Sequence, residues 1–300
     1  MGRHMRFLSL ILTLIVGGLS SGSALAADVR CDGRYSLPQS DEWFARRWPS
    51  GARPTAASCA SGLLVGPIAP GDYEKVLAFY RRNHPFLSGF TIVSGGGNVL
   101  EAIKIGRLFR KYLIGTSAAL RIPQSFGDIF SVVGARLECE GEKCACASAC
   151  ALIWFGGVDR FGSAGLHRPR TNDPEFKSSS PAAATALYRQ VLTAIRDYMD
   201  EMEVPKPLIE SMIATGSADI RWVNADDDLR RPPSFAEWQD ASCGSITVKD
   251  QQLARDLGIR EKNLTARERD ALDQLKKQQS EVSRCRIDLV SSNRDKIPAP

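Results

Sequence analysis

Histidine is scarce in this chain. It occurs only at His4, His84 and His167, and His4 lies in a segment expected to be removed, so acid–base chemistry near neutrality has two imidazoles to draw on. Long apolar runs are missing after the first 26 residues, where no stretch approaches the roughly 20 apolar residues that a membrane helix needs. A basic patch interleaved with aromatics is also missing, which removes the usual footprint of nucleic-acid binding. The glycine-rich stretch Ser94-Gly95-Gly96-Gly97 has neither the Lys-Ser/Thr ending of a nucleotide P-loop nor the spacing of a dinucleotide fingerprint, which sets nucleotide binding aside. Four closely spaced cysteines at 139, 144, 146 and 150 lack the paired Cys-x-x-Cys arms of a structural zinc site, and no metal is expected. No internal repeat is visible.

What is present begins with a leader. Residues 1–26 carry Arg3 and Arg6, an apolar run over 7–16, and small residues ending Ala24-Leu25-Ala26, the three parts of a secretory signal with cleavage expected after Ala26. Met5 is an alternative start. Removal of the leader takes away two arginines and no acid, which lowers the formal charge from +5 to +3 and points to no particular partner. All eight cysteines, Cys31, Cys59, Cys139, Cys144, Cys146, Cys150, Cys243 and Cys285, lie in the remainder. An even count in an exported chain favours disulfides over free thiols. The reading is of a periplasmic protein with no stable membrane insertion after cleavage.

About 270 residues then remain, enough for one large domain with extensions. Residues 27–60 are rich in Arg, Pro, Ser and Gly and show no sustained period; they are read as an irregular arm held down by Cys31 and Cys59, which could pair with each other. The regular part spans 61–245. A continuous apolar run at 62–68 predicts a buried strand, and Pro70-Gly71-Asp72-Tyr73 opens a helix that ends before His84-Pro85. A second strand follows at 89–93, a helix at 98–112, a third strand at 117–122 and a helix at 147–156. Alternation of this kind predicts an α/β fold with crossovers onto a parallel sheet. A flexible stretch at 171–180 leads to a long helix over about 181–203 and a shorter one to about 215. Residues 219–228 read as a strand or turn. Residues 246–300 are expected to form a helical tail, with a charged helix over 265–279 and disorder from 293.

The chemistry concentrates in Cys144-Ala-Cys-Ala-Ser148-Ala-Cys-Ala-Leu-Ile-Trp-Phe-Gly-Gly157, followed by Arg160 and by His167-Arg168-Pro169. A serine hydroxyl is a poor nucleophile until a base takes its proton, and histidine is the usual base. A buried small-residue helix start with a structural histidine is the plain alternative. Ser94-Gly-Gly-Gly97 falls between a strand and a helix, where glycines let backbone N–H groups face outward and a helix N-terminus adds partial positive charge. Such a turn suits a developing oxyanion.

Taken in order, the strand, Ser-Gly-Gly-Gly, helix, strand, Ala-Ser148-Ala-Cys-Ala-Leu-Ile, Arg160 and His167-Arg-Pro resemble the ClpP-like serine peptidases of crotonase-type fold, and more closely their exported periplasmic relatives. The resemblance covers roughly 62–228. It implies a βαβ superhelix with a parallel sheet, Ser148 as nucleophile, His167 as general base, and Asp219 as the acid that orients the histidine, with Asp226 in reserve. It implies an oxyanion hole from the N–H of Gly97, with Gly96 beside it, and of Ala149. The chain departs from the family in having Gly95 where a proline is usual, a shorter stretch between Ser148 and His167, and an insert over 123–146 that carries three cysteines. Two disulfides among Cys139, Cys144, Cys146 and Cys150 would staple that insert to the nucleophile helix, in a pairing the sequence leaves open. Cys146 or Cys150 as nucleophile is a further option.

The function implied is a soluble hydrolase, an ATP-independent peptidase without cofactor, acting on peptides or unfolded chains and prone to self-association. The alternative is a catalytically silent binding or assembly module on the same fold. Crotonase-type acyl-CoA chemistry would share the oxyanion hole but leaves the Ser/His pair unexplained, and the lysine base of signal-peptide peptidases has no counterpart in His-Arg-Pro.

Overall fold

The computed structural model describes residues 26–35, 39–122, 129–131, 141–170, 180–225 and 229–300. The expected leader up to residue 25, most of the cysteine-bearing insert, the stretch 171–179 and Asp226 lie outside these residues.

A sheet of mostly parallel strands forms the centre. Strand β2 (Cys59–Val65) pairs in parallel with β3 (Gly89–Val93), which pairs with β4 (Gly115–Ser117), which pairs with β8 (Arg160–Phe161). Helix α2 (Asp72–Asn83) makes the first crossover and α3 (Val99–Lys111) the second, the arrangement that parallel neighbours require. Leu64, Phe90 and Ile92 from the strands are buried with Val76, Tyr80, Ile105 and Phe109 from the two helices in one continuous core. The third strand is shorter than expected and starts earlier. Residues Leu120–Ile122, read as its continuation, form β5 and pair instead, antiparallel, with β6 (Ile129–Ser131).

The N-terminal segment is more regular than its composition suggests. Asp28–Arg34 form β1, which adds an antiparallel edge to β2, and Asp41–Arg47 form α1, capped by Ser40 Oγ accepting from the Trp43 N–H. Cys31 and Cys59 are disulfide-bonded across that edge. An extended strand can recruit its hydrogen bonds from a neighbour whatever its own period, so the sequence carried little signal for it.

A second sheet holds the site. Its strands are β7 (Cys146–Ala147), β9 (Ser163–Leu166) and β10 (Arg221–Asn224), with β9 in the middle, parallel to β7 and antiparallel to β10. Helix α4 (Ala149–Gly156) runs from β7 into the core, and all eight of its residues are buried. A helix apolar on every face has nowhere else to go. It lies so close to α3 that a Cβ on Gly156 would sit 2.4 Å from the Gly106 Cα. Helix α5 (Pro181–Glu201) covers both, and its buried Tyr198 donates to the Leu152 carbonyl at 2.7 Å. Burial raises the Tyr198 phenol pKa and keeps it a donor.

The C-terminal half is docked. Helix α6 (Lys206–Ala214) precedes β10, and α7 (Pro233–Cys243), α8 (Val248–Ile259) and α9 (Ala266–Lys296) follow it. Helix α9 continues far beyond 279 and through the first half of the stretch expected to be disordered. Cys285 is disulfide-bonded to Cys243, Arg286 pairs with Asp240, and the buried Arg294 donates to the carbonyls of Tyr112 at 3.2 Å and Leu113 at 2.6 Å. These carbonyls end α3, and a cation there meets the negative end of the helix. Among the described residues, no helix is long and apolar enough to cross a membrane.

Candidate active site

Ser148 occupies a sharp turn between β7 and α4. Its backbone has φ 60° and ψ −128°, one of three non-glycine residues with positive φ among those described. A serine is held in such a sparsely populated conformation only when its surroundings over-determine it. The surroundings are explicit. Its N–H donates to the Gly165 carbonyl of β9 at 2.9 Å, the disulfide Cys146–Cys150 brackets it two residues to either side, and α4 is anchored in the core on all faces. Both bracketing cysteines are fully buried, so neither is a thiol nucleophile, and that option is set aside.

The register of the second sheet brings the histidine near. Ala147 is paired with Gly165, so Ser148 and His167 leave neighbouring parallel strands one and two residues beyond that pair. Both side chains line a single cavity of about 260 Å³, together with Gly95, Gly97, Asn98, Val99, Leu100, Pro169, Arg170, Leu187 and Val191. The aliphatic residues on α3 and α5 give it an apolar wall. No hydrogen bond joins Ser148 Oγ to His167. The imidazole is 5% exposed, and its Nδ1 lies 2.7 Å from the Arg168 carbonyl oxygen. A carbonyl can only accept, so Nδ1 carries the proton and Nε2 is left as the basic nitrogen.

That contact corrects the expected role of Asp219. Asp219 is exposed and makes no hydrogen bond to His167. The loop bearing it does approach, but through main-chain atoms: the Arg168 N–H donates to the Thr215 carbonyl and Arg170 Nε to the Ser217 carbonyl, each at 3.1 Å. The Asp219 N–H turns back onto the Gly216 carbonyl at 3.0 Å. The histidine is thus oriented by a backbone carbonyl, for which a sequence holds no signal. Asp226, the reserve, falls outside the described residues.

The glycine loop meets the turn at Ser148 through Ser94, the residue that follows β3. Ser94 bridges to Cys146, with Ser94 N–H donating to the Ala145 carbonyl at 3.1 Å and Ala147 N–H to the Ser94 carbonyl at 3.0 Å. Gly96 has φ +107°, and a Cβ there would lie 2.5 Å from Ser148 Cβ and 2.9 Å from Ser148 Oγ. Gly97 has φ +138°, and its Cβ would fall 2.1 Å from the Ile68 carbonyl oxygen. Only glycine fits either position. The two differ as donors. The Gly96 N–H is committed to Ser94 Oγ at 3.1 Å, which removes Gly96 as an oxyanion donor and makes Ser94 a buttress that sequence reading passed over. Gly97 and Ala149, the second at the first turn of α4, have N–H groups without a hydrogen-bond acceptor among the described residues.

Arg160 holds the far end of α4. It is 1% exposed, and its guanidinium donates to the carbonyls of Gly157, Leu229, Phe155 and Met202 at 3.2, 3.1, 2.7 and 3.1 Å. It gathers the C-terminal carbonyls of α4 and α5 on one cation. Burial, and secondarily the nearby Arg110 cation, pull its pKa down to about 9. Cys144 is disulfide-bonded as well, while Cys139 lies outside the described residues. No group of three or more His, Cys, Asp or Glu side chains among the described residues could hold a metal ion. A second cavity of about 380 Å³ lies under α7 and α9, against Arg110, Phe235 and Trp238, away from Ser148 and His167.

Compared with models of known protein families and with curated proteins, the chain matches none.

Proposed function

We propose that this chain is a serine hydrolase of ClpP-like type, a periplasmic peptidase that works without ATP on peptides or unfolded segments. The observation that carries the reading is the strained Ser148 at a strand-to-helix elbow, sharing a cavity with a histidine whose free nitrogen is the basic one. In the reaction, Ser148 Oγ attacks the scissile carbonyl carbon while His167 Nε2 takes its proton. The negative charge moves to the carbonyl oxygen, where Gly97 and Ala149 supply N–H donors, each typically worth about 3 kcal/mol in the transition state. Collapse expels the amine, which takes the proton from Nε2, and water releases the acyl group by the same steps in reverse order of partners. The Arg168 carbonyl steadies the imidazolium through Nδ1–H. A neutral carbonyl does this less well than a carboxylate, so a slow enzyme is expected. The aliphatic wall from Leu100, Leu187 and Val191 favours apolar side chains next to the scissile bond. Disulfides support export, and a compartment without ATP fits a peptidase acting alone.

The test is intact-mass analysis after treatment with a fluorophosphonate. One adduct on the parent, none on Ser148→Ala and at least tenfold slower labelling of His167→Ala would support the reading. A second reading, a catalytically silent binding module, draws on the missing Ser148–His167 hydrogen bond and on the absence, among the described residues, of a carboxylate bonded to His167. A folded parent that takes no adduct would favour it.

A further inference from the structure

Ala27 marks an abrupt change in exposure. Ala26 is exposed, whereas Ala27 is 2% exposed with its methyl group in the main core. The Ala27 nitrogen donates to Asp72 Oδ2 at 3.1 Å, and Asp72, in the first turn of α2, is a carboxylate with 0% exposure. The same Oδ2 accepts from the Ala69 N–H at 2.8 Å, and Oδ1 is paired with Lys75 Nζ at 2.8 Å. A carboxylate this deep is maintained only where charges and donors compensate it. The Lys75 side chain that compensates it is half exposed, so its contribution is weakened by water. The other two donors are neutral amides.

We propose that Asp72 is a receptor for the α-ammonium group of the processed chain, so that cleavage after Ala26 seats a charged N-terminus on this buried carboxylate. The inference rests on the expected cleavage site and is independent of the hydrolase reading. Cleavage exchanges the amide N–H at Ala27 for a primary ammonium at the same atom, and a charge-assisted bond is roughly twice as strong as a neutral one. The placement matters for the glycine loop. Ala69, on the same oxygen, follows Ile68, whose N–H donates to the Gly96 carbonyl at 2.9 Å and whose carbonyl accepts from Asn98 N–H at 2.8 Å. The N-terminus, Asp72 and the base of the loop form one hydrogen-bonded chain. Removal of the leader thereby strengthens a contact of the finished fold and is more than an export step.

The pH behaviour follows from the same contact. An unperturbed α-amine titrates at about 7.7–8.0, and the Asp72 charge raises that value in the folded state. The stabilisation is therefore complete below about pH 7.7 and is lost as pH rises through the raised folded value. The other charged or titratable groups around the pair are Lys75 and Tyr73 on α2, Glu101 and Lys104 on α3, and Asp28 with Arg30 on β1. All are present with or without processing, so a comparison of chain starts isolates the α-amine.

The experiment compares chains beginning at Ala27 and at Ala26, each also as Asp72→Asn, by thermal unfolding from pH 6 to 10. In parallel, the N-terminus is labelled with an amine-selective reagent at pH 7. The Ala27 start is expected to melt several degrees higher at pH 6–7.5, with the advantage vanishing by about pH 10, and its α-amine to label at least tenfold more slowly than that of the Ala26 start. Asp72→Asn should abolish both differences. Equal melting and equal labelling of the two starts would overturn the proposal. So would a mass showing that the full-length chain, exported by a host cell, begins elsewhere than Ala27. If Asp72→Asn fails to fold, the comparison of the two starts decides alone.

Discussion

Replacing Gly96 by alanine tests the site at its tightest point. The new methyl would be placed 2.5 Å from Ser148 Cβ, 2.9 Å from its Oγ and 3.1 Å from the Ala147 carbonyl oxygen, on a backbone with φ +107°. Holding an L-residue in that conformation costs about 1–2 kcal/mol, and forcing a methyl into a closed space about 1–3 kcal/mol more. Ser148 has little room to yield, because its N–H is bonded to Gly165 and the Cys146–Cys150 bridge spans it. The expected loss is about 2–5 kcal/mol in denaturant unfolding, or a melting point lower by roughly 4–9 °C for a chain of this size. Fluorophosphonate labelling of Ser148 should slow at least tenfold even at temperatures where the variant is folded, because the elbow must shift. Gly95→Ala is the internal control: nothing lies within 4 Å of its Cβ, and its stability should stay within about 0.5 kcal/mol of the parent. A Gly96→Ala protein as stable and as reactive as Gly95→Ala would refute the packing of the glycine loop on the serine.

Asp219→Asn should change the labelling rate less than twofold, since its carboxylate is exposed and makes no bond to His167; a hundredfold drop would show that the loop reorganises and that the acid serves after all. Arg160→Met leaves four buried carbonyls without their common donor and should lower stability by about 3 kcal/mol or more in urea unfolding. Removal of Cys146–Cys150, which closes a separation of 4 residues, should lower stability by about 2 kcal/mol, against about 4 kcal/mol for Cys243–Cys285 with its separation of 42, by loop-closure entropy. Paired alanine variants compared by chemical denaturation measure that ordering.

Several elements were legible because their signal is local. The apolar run after Ser148 reads as a buried helix without any partner in view, and α4 is one. The runs at 62–68 and 89–93, each followed by a helix with an apolar face, predict the parallel pairing of β2 with β3. The even cysteine count predicted disulfides, and Cys31–Cys59 was legible as a pair because both ends fell in one arm. The sequence expectation stops the C-terminal helix early because its last turns are polar, whereas the helix runs to Lys296. Arg294 is buried there only because α3 offers it two carbonyl acceptors.

What residue order alone determined is the alternation of strands and helices, the glycines that let a backbone approach closely, and the candidacy of Ser148 and His167. Tertiary structure decided how these candidates are supported, because support comes from atoms that every residue has. The Arg168 carbonyl stands where a carboxylate was expected, the Ser94 hydroxyl takes the N–H of Gly96, and a buried carboxylate on α2 meets the nitrogen of Ala27. A backbone carbonyl or amide carries no side-chain identity, so its part in a site emerges only when the chain has folded around it.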